Sequence, residues 1–222
     1  MHTIAAALDL HGLTLRGGFN FAPGEEAPVG LSGAPAKAVL LVGQLGREAW
    51  APFQAWRAKQ PPGLPNPLDT WSRAVIGEAA KQVGARAVGP NDKPYQPFQR
   101  WAMRAEGLKP SPLGILMHPA YGLWHAYRGA LLFDRAIPIE APREAIHLCD
   151  LCVGKPCLNA CPVGAYSVEG FAYADCQSHL KTREGQACMS AGCFARNACP
   201  VGAGFRYSAE QQAFHMQSFA RP

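Results

Sequence analysis

The stretch that decides the fold runs from Cys149 to Pro200 and has the sequence CDLCVGKPCLNACPVGAYSVEGFAYADCQSHLKTREGQACMSAGCFARNACP. It contains all 8 cysteines of the 222-residue chain. The heptapeptide NACPVGA occurs twice without a change, at residues 159–165 and again at residues 197–203. A short repeat centred on cysteine indicates that one piece of chemistry has been duplicated.

The cysteines form two runs, and each run ends in a Cys-Pro pair. The spacings are Cys149-x2-Cys152-x4-Cys157-x3-Cys161 and Cys176-x11-Cys188-x4-Cys193-x5-Cys199. Closely spaced cysteines let one loop present several thiolates to a metal group. Proline after the last cysteine cannot donate a backbone hydrogen bond, and it favours an extended conformation in the residue before it. The pattern therefore favours ligation by thiolates.

The pattern resembles that of the bacterial two-cluster ferredoxins, in which the cysteine before proline binds the cluster of the other run. The resemblance implies two 4Fe-4S clusters with crossed ligands. The first cluster takes Cys149, Cys152, Cys157 and Cys199, and the second takes Cys161, Cys176, Cys188 and Cys193. Several gaps are wider than in that family, but both Cys-Pro ends are intact.

Two other uses of the cysteines fit their number. Disulfide frameworks also use an even count, but they belong to short secreted chains. Structural zinc is the closer alternative, because cysteines two to four residues apart suit a tetrahedral site. The repeated Cys-Pro favours iron-sulfur clusters over both. His179 is interpreted as a bystander, and Lys181 and Arg183 as charges that offset negative clusters.

Composition and charge exclude several classes of protein. Hydrophobic residues make up 48% and charged residues 17%, which is typical of a folded chain. The net charge of +5 includes no basic block, so no nucleic-acid partner is expected, whereas an acidic redox protein fits. No apolar run has the length of a membrane span, and no signal segment is recognisable. We expect a cytoplasmic protein with no membrane partner, in a reducing compartment that suits thiolate ligands.

A second informative segment precedes the cysteines. Residues 111–133 predict two strands joined by a turn at 118–122, and alternation along the second strand places Arg128 opposite His125 and Tyr127. The segment concentrates polar and aromatic side chains, and the candidate cofactor-binding set is His118, Tyr121, Trp124, His125 and Arg128. A flat tetrapyrrole or flavin would lie on Tyr121 and Trp124, with Arg128 paired to an amide or phosphate. The alternative is that the rings only fill the core.

The run His-Pro-x-Tyr-Gly-x-Trp-x-x-x-Arg-Gly at residues 118–129 resembles a segment of the cobalamin-processing decyanases of animals and, more loosely, of the epoxyqueuosine reductases. The segment RYSAEQQAF at residues 206–214 is similar to a helix near the end of the decyanases. Decyanases lack the cysteine block. Epoxyqueuosine reductases and reductive dehalogenases, in contrast, join a nitroreductase-like cobalamin domain to a two-cluster module in this order, and their clusters feed electrons to cobalt.

We therefore predict an α+β fold with three parts. Residues 1–145 form a nitroreductase-like, cobalamin-binding domain, and residues 146–205 form a ferredoxin-like module with two 4Fe-4S clusters. Residues 206–222 form a helix that packs back on the body, with Ser208 and Gln211 at its start as a capping box. A linker is expected over residues 137–147.

The predicted function is redox, and three alternatives follow. The favoured one is a cobalamin-dependent oxidoreductase or cobalamin-processing enzyme, which takes electrons from a ferredoxin- or flavodoxin-type donor and acts on cobalamin or another small molecule. The second is a non-enzymatic electron carrier whose N-terminal domain docks a partner. In the third, the clusters only stabilise the fold, and this alternative is the weakest because two adjacent clusters favour electron transfer. No catalytic residue is identified from the sequence.

Overall fold

The computed structural model describes residues 2–142, 146–167 and 169–221. The chain divides into two compact units, one comprising Met1–Gly107 and His125–Glu144, the other Leu108–Trp124 and Ala145–Pro222. Both contain helices and strands, so the fold is of the mixed α and β class that the sequence predicts. No helix in the described residues is long and apolar enough to cross a bilayer.

The regular elements are mostly short. The strands are β1 (Thr14–Asn20), β2 (Ala38–Leu45), β3 (Arg86–Val88), β4 (Lys109–Pro110), β5 (Leu116–Met117), β6 (His125–Phe133), β7 (Tyr166–Ser167) and β8 (Gly170–Phe171). The helices are α1 (His2–Asp9), α2 (Trp50–Arg57), α3 (Pro67–Val83), α4 (Phe98–Glu106), α5 (Pro156–Asn159), α6 (Tyr173–Leu180), α7 (Gln186–Ala191), α8 (Phe194–Asn197) and α9 (Ala209–Phe219).

The first unit is built on an antiparallel sheet with the strand order β1-β2-β6-β3. Strand β2 is apolar and lies between two partners, so it is buried along almost its whole length. In β1 the register shifts between Leu15 and Gly18, as the Gly17-Gly18 pair indicates. Gly18 is required there because a Cβ would collide with the carbonyl of Val39.

Helix α3 shows how local sequence sets the helices of this unit. Pro67 occupies the first turn, where its missing N–H has no cost, and Gly84 ends the helix with a φ of 61°. Trp71 and Ile76 point inward and are 1% and 2% exposed. The helix packs on β3 and β6.

The second unit has little regular structure and is organised around the cysteines. Its strands form two small antiparallel pairs, β4 with β5 and β7 with β8. Helix α5 packs on α8, and α9 packs on α7. The hydroxyl of Ser208 accepts a hydrogen bond from the backbone N–H of Gln211 at 3.2 Å, so the expected cap of α9 is present.

The sequence predicts a single domain boundary near residue 145, and that residue lies outside the described residues. The two compact units divide the chain at residues 107/108 and 124/125 as well. Residues 108–124 belong to the second unit because Met117 and Leu123 pack in one cluster with Cys149 and Cys199. The turn at 118–122 exists, closed by hydrogen bonds between His118 and Gly122 at 2.9 Å. It does not join a hairpin, however, because β5 pairs with β4 while β6 pairs with β2 and β3.

Candidate functional site

The eight cysteines lie in the second unit as free thiols. Four of them form one group, which we call tetrad 1: Cys149, Cys152, Cys157 and Cys199. Burial raises the pKa of the Cys149 thiol to about 11, and the neighbouring thiolates of the other three members add to the rise. Burial likewise raises the pKa of Cys157, with Cys199 and Cys152 as its charged neighbours.

The other four cysteines form tetrad 2: Cys161, Cys176, Cys188 and Cys193. Burial raises the pKa of Cys176 to about 11, and the nearby thiolates of Cys193, Cys161 and Cys188 raise it further. The pKa of Cys188 rises for the same reasons, with Cys193 and Cys161 as its neighbours. Like charges that close together disfavour ionisation of each member, so such a set needs positive charge to exist as thiolates.

Each tetrad combines three cysteines of one run with one cysteine of the other run. Cys199 ends the second run but lies with the first three cysteines, and Cys161 ends the first run but lies with the later three. The packing of α5 on α8 brings the two runs together, since these helices precede Cys161 and Cys199. That these tetrads bind metal stays a prediction.

Tetrad 1 lines a partly open cavity. The other walls are mostly apolar and include Met117, Leu123 and Val201. Among the described residues no group of three or more His, Cys, Asp or Glu is arranged to hold a single metal ion. The two findings are compatible, because a cubane is held at four separate corners whereas one ion draws its ligands to a point.

Several hydrogen-bond donors approach the sulfur atoms. The N–H of Ala165 donates to Sγ of Cys161 at 3.4 Å, and the backbone of Val201 donates to Cys199. The Tyr166 hydroxyl contacts Cys193, and Nε2 of His179 lies 3.7 Å from Sγ of Cys188. Such donors stabilise thiolates and the anionic groups that thiolates bind. The sequence drew attention to His179, but only the structure shows its contact with Cys188.

Positive charge near the tetrads comes from residues other than Lys181 and Arg183, the pair that the sequence predicts. Lys181 and Arg183 are exposed. Lys155, in contrast, lines the tetrad 1 cavity and donates from Nζ to the carbonyl oxygen of Cys149 at 2.7 Å, and its charge opposes the rise in the Cys149 pKa. Its backbone is left-handed, with a φ of 36°.

Three residues of the candidate cofactor-binding set lie in the second unit. His118 accepts hydrogen bonds at Nδ1 from the N–H groups of Ala120 and Tyr121, both at 3.1 Å, which holds the turn. The Tyr121 ring packs 4.3 Å from that of Phe205. Trp124 is completely buried, with the Tyr207 ring 5.2 Å away. Trp124 therefore supports this unit from inside and offers no open ring face.

The other two members of that set, His125 and Arg128, lie in β6 of the first unit. The pairing of β6 with β2 shifts register at Arg128, so the predicted alternation along the strand is interrupted there. Arg128 donates to Asp69 at 2.9 Å and to Ser72 at 3.1 Å. It lines a cleft whose polar walls also include Arg73 and Asp92. This cleft is where an amide or phosphate could meet Arg128, although Asp69 already pairs with it.

His125 belongs to a buried polar network that the sequence did not indicate. Its centre is Arg16, which is 2% exposed and pairs through two nitrogens with both carboxylate oxygens of Glu106, at 2.7 and 2.8 Å. Arg16 also contacts His125 and Tyr127 at 3.3 Å, and burial raises the pKa of Tyr127. Because these partners are up to 111 residues apart in sequence, no local sequence pattern predicts their contacts.

Solved structures with the same fold come from the two groups that the sequence motifs resemble. A B12-trafficking protein of C. elegans, CblC, is 15% identical with a TM-score of 0.53, covering 100% of this chain and 91% of that one. A selenomethionine-labelled epoxyqueuosine reductase is 14% identical with a TM-score of 0.51, covering 80% and 52%. Another, solved with a modified tRNA-Tyr stem loop, is 13% identical with a TM-score of 0.50, covering 80% and 52%.

The chain thus spans about half the length of the epoxyqueuosine reductases it matches. At these identities the similarity establishes the fold. No protein-family model matches the sequence, and no curated protein matches it.

Proposed function

We propose that this chain is an iron-sulfur redox protein of the cobalamin-processing or cobalamin-dependent reductase type. Each tetrad would hold one 4Fe-4S cluster, and the nitroreductase-like first unit would hold the cobalamin or another planar group. When bound, the clusters supply one-electron transfer to that group. The proposed electron source is a donor protein of the ferredoxin or flavodoxin type.

One observation carries the proposal: the eight thiols lie in two tetrads with an exchanged member. A crossed arrangement is the ligand pattern of two-cluster ferredoxins. The apolar cavity at tetrad 1, the donors that face the sulfur atoms, and the cation of Lys155 all suit an anionic thiolate-bound group. Structural neighbours that include a B12-trafficking protein favour cobalamin as the second cofactor.

The first experiment is metal and sulfide analysis of protein purified without oxygen. We expect about eight iron and eight acid-labile sulfide per chain, the content of two 4Fe-4S clusters. Zinc without sulfide would replace the proposal with a structural zinc protein. The cobalamin part is tested separately by mixing the protein with hydroxocobalamin under anaerobic conditions, where we expect a spectral shift and co-elution on gel filtration.

The complete burial of Trp124 favours a second candidate, because it removes one of the two ring faces on which a flat cofactor was expected to lie. In this alternative the chain is an electron carrier without an enzymatic site, and the first unit docks a partner. Clusters present without any cobalamin binding would support this candidate over the first.

A further inference from the structure

Arg196 occupies the short segment between the two tetrads. It lies in α8, after Cys193 of tetrad 2 and before Cys199 of tetrad 1. Its Nη2 donates to the carbonyl oxygen of Leu123 at 2.6 Å, and Leu123 lines the tetrad 1 cavity. The guanidinium carbon lies 4.5 Å from the ring centre of Trp124 and 4.7 Å from that of Tyr207. The guanidinium is therefore bound to a residue that lines the tetrad 1 cavity.

This charge has no carboxylate partner among the described residues. The ion pairs formed there are Arg16–Glu106, Arg73–Asp92, Lys81–Glu78, Arg104–Glu25 and Arg128–Asp69, and Arg196 is in none of them. Its Nε is buried without a hydrogen-bond acceptor in the part of the chain that the structure describes. The aromatic rings stabilise the cation only in part. The Arg196 side chain is half-buried. A partly desolvated cation without a carboxylate partner is costly, so its position indicates that negative charge belongs next to it.

We propose that Arg196 is a second counter-charge, besides Lys155, of the centre bound by tetrad 1 and raises the reduction potential of the cluster there. The inference rests on the proposed function, since it concerns the cluster that tetrad 1 would hold. Reduction adds one negative charge to a group that is already anionic. A fixed cation close by, in a poorly screened site, stabilises the reduced form more than the oxidised form.

The exposed Arg183 provides the matched control. It lies between Cys176 and Cys188 of tetrad 2, and the sequence assigned it this same task, but its side chain is in solvent where charges are screened. Replacing either arginine by glutamine removes one positive charge. Arg196→Gln keeps a neutral N–H donor, and Arg196→Lys keeps the charge while losing the planar guanidinium.

The experiment is a redox titration of the loaded protein followed by electron paramagnetic resonance, with the two signals assigned from the Cys161→Ala and Cys199→Ala variants. For Arg196→Gln we expect the tetrad 1 cluster to become about tenfold harder to reduce at a fixed potential, a shift of about 59 mV downward for a one-electron couple. Arg196→Lys should stay near the wild-type value, and Arg183→Gln should leave both clusters within twofold of wild type.

Each possible outcome either supports or overturns the role proposed for Arg196. A tetrad 1 potential that is unchanged in Arg196→Gln, or lowered as much in Arg183→Gln, overturns the assignment while leaving the clusters themselves intact. If Arg196→Gln loses the tetrad 1 cluster and Arg196→Lys retains it, the need for the charge is supported. Loss in both variants means a purely structural role for the guanidinium. Wild-type protein with zinc and no sulfide removes the proposed function and this inference together.

Discussion

At the scale of single residues, Cys161 and Cys199 have identical sequence surroundings but belong to different tetrads. Each lies in the heptapeptide NACPVGA and precedes a proline. Their grouping follows from which thiols lie beside them: Cys199 neighbours Cys149, and Cys161 neighbours Cys176. Neither run of cysteines therefore completes a site by itself.

The crossed grouping predicts a specific pattern of iron loss. Cys199→Ala should remove the tetrad 1 cluster and about half of the iron, because that cluster loses one of its four thiolates. Adding Cys149→Ala should remove no more, since both residues serve one cluster, whereas adding Cys176→Ala should remove the rest. Iron and sulfide contents of the three variants are the measurement. Equal further loss from Cys149→Ala and Cys176→Ala would contradict the crossed grouping.

The buried pair of Arg16 and Glu106 predicts a large stability effect far from the cysteines. Glu106→Gln leaves the Arg16 guanidinium without its charged partner in a site where Arg16 is 2% and Glu106 17% exposed. We expect a loss of about 3 kcal/mol in the free energy of unfolding. The control is Glu78→Gln, whose partner Lys81 is 77% exposed, with an expected effect within about 0.5 kcal/mol. Urea unfolding followed by tryptophan fluorescence measures both, and equal losses would refute the role of burial.

At the scale of elements, the two copies of NACPVGA share a conformation and differ in what surrounds them. Both follow a short helix, α5 or α8, and the glycine of each copy is left-handed, with a φ of 60° at Gly164 and 70° at Gly202. Gly202 packs directly on the backbone of Tyr121, while nothing lies within 4 Å of a Cβ placed on Gly164. The second copy therefore packs against the turn at 118–122.

This difference predicts unequal effects of the same substitution. Gly164→Ala should cost about 1–2 kcal/mol, the penalty for a left-handed alanine. Gly202→Ala carries the same penalty plus a backbone clash, which should add about 1–3 kcal/mol and displace Cys199 three residues earlier. Thermal unfolding and iron content of the two variants test this, with iron loss expected in Gly202→Ala alone. Similar behaviour of both variants would show that the contact with Tyr121 is unimportant.

At the scale of the whole molecule, the raised thiol pKa values make the stability of the metal-free protein depend on pH. Cys149 and Cys176 have pKa values of about 11 in the folded chain, against 9.0 for an ordinary thiol, chiefly because they are buried. The unfolded chain therefore loses these protons first as pH rises above 9. Stability of the metal-free form is complete below about pH 9 and falls between pH 9 and 11.

The measurement is the midpoint of thermal unfolding of metal-free protein at pH 8, 9 and 10. The double variant Cys149→Ala with Cys176→Ala serves as the control for lysine and tyrosine ionisation, and its midpoint should fall less steeply over this range. Protein loaded with iron should also fall less steeply, because bound thiolates carry no proton to lose. If the unfolding midpoint of the metal-free wild type falls with pH no more steeply than that of the double variant, the buried thiols do not cause the pH dependence.

Much of the local structure could be predicted because it depends on neighbours in sequence. Gly84 ends α3, the Gly17-Gly18 pair disrupts the register of β1, and Ser208 caps α9, each for a reason confined to a few residues. The division at 108–124 was not predictable, because it depends on Leu123 packing among cysteines that lie far along the chain. Whether Trp124 fills the core or faces a cofactor stayed open for the same reason, since alternation assigns a face but not what covers it.

The sequence by itself determined the chemistry that this protein can offer: eight thiols in two runs, each closed by Cys-Pro, joined to a segment that resembles one in the cobalamin-processing decyanases. Spacing carries that information because loops of a few residues bring their own cysteines together. Only the tertiary structure decided which charges and donors meet those thiols. Lys155 contacts the Cys149 carbonyl from within the same run, but Arg196 is bound by Leu123, 73 residues away in sequence, and Tyr166 contacts Cys193 of the other run. Burial, which no spacing encodes, sets the strength of their electrostatic effects.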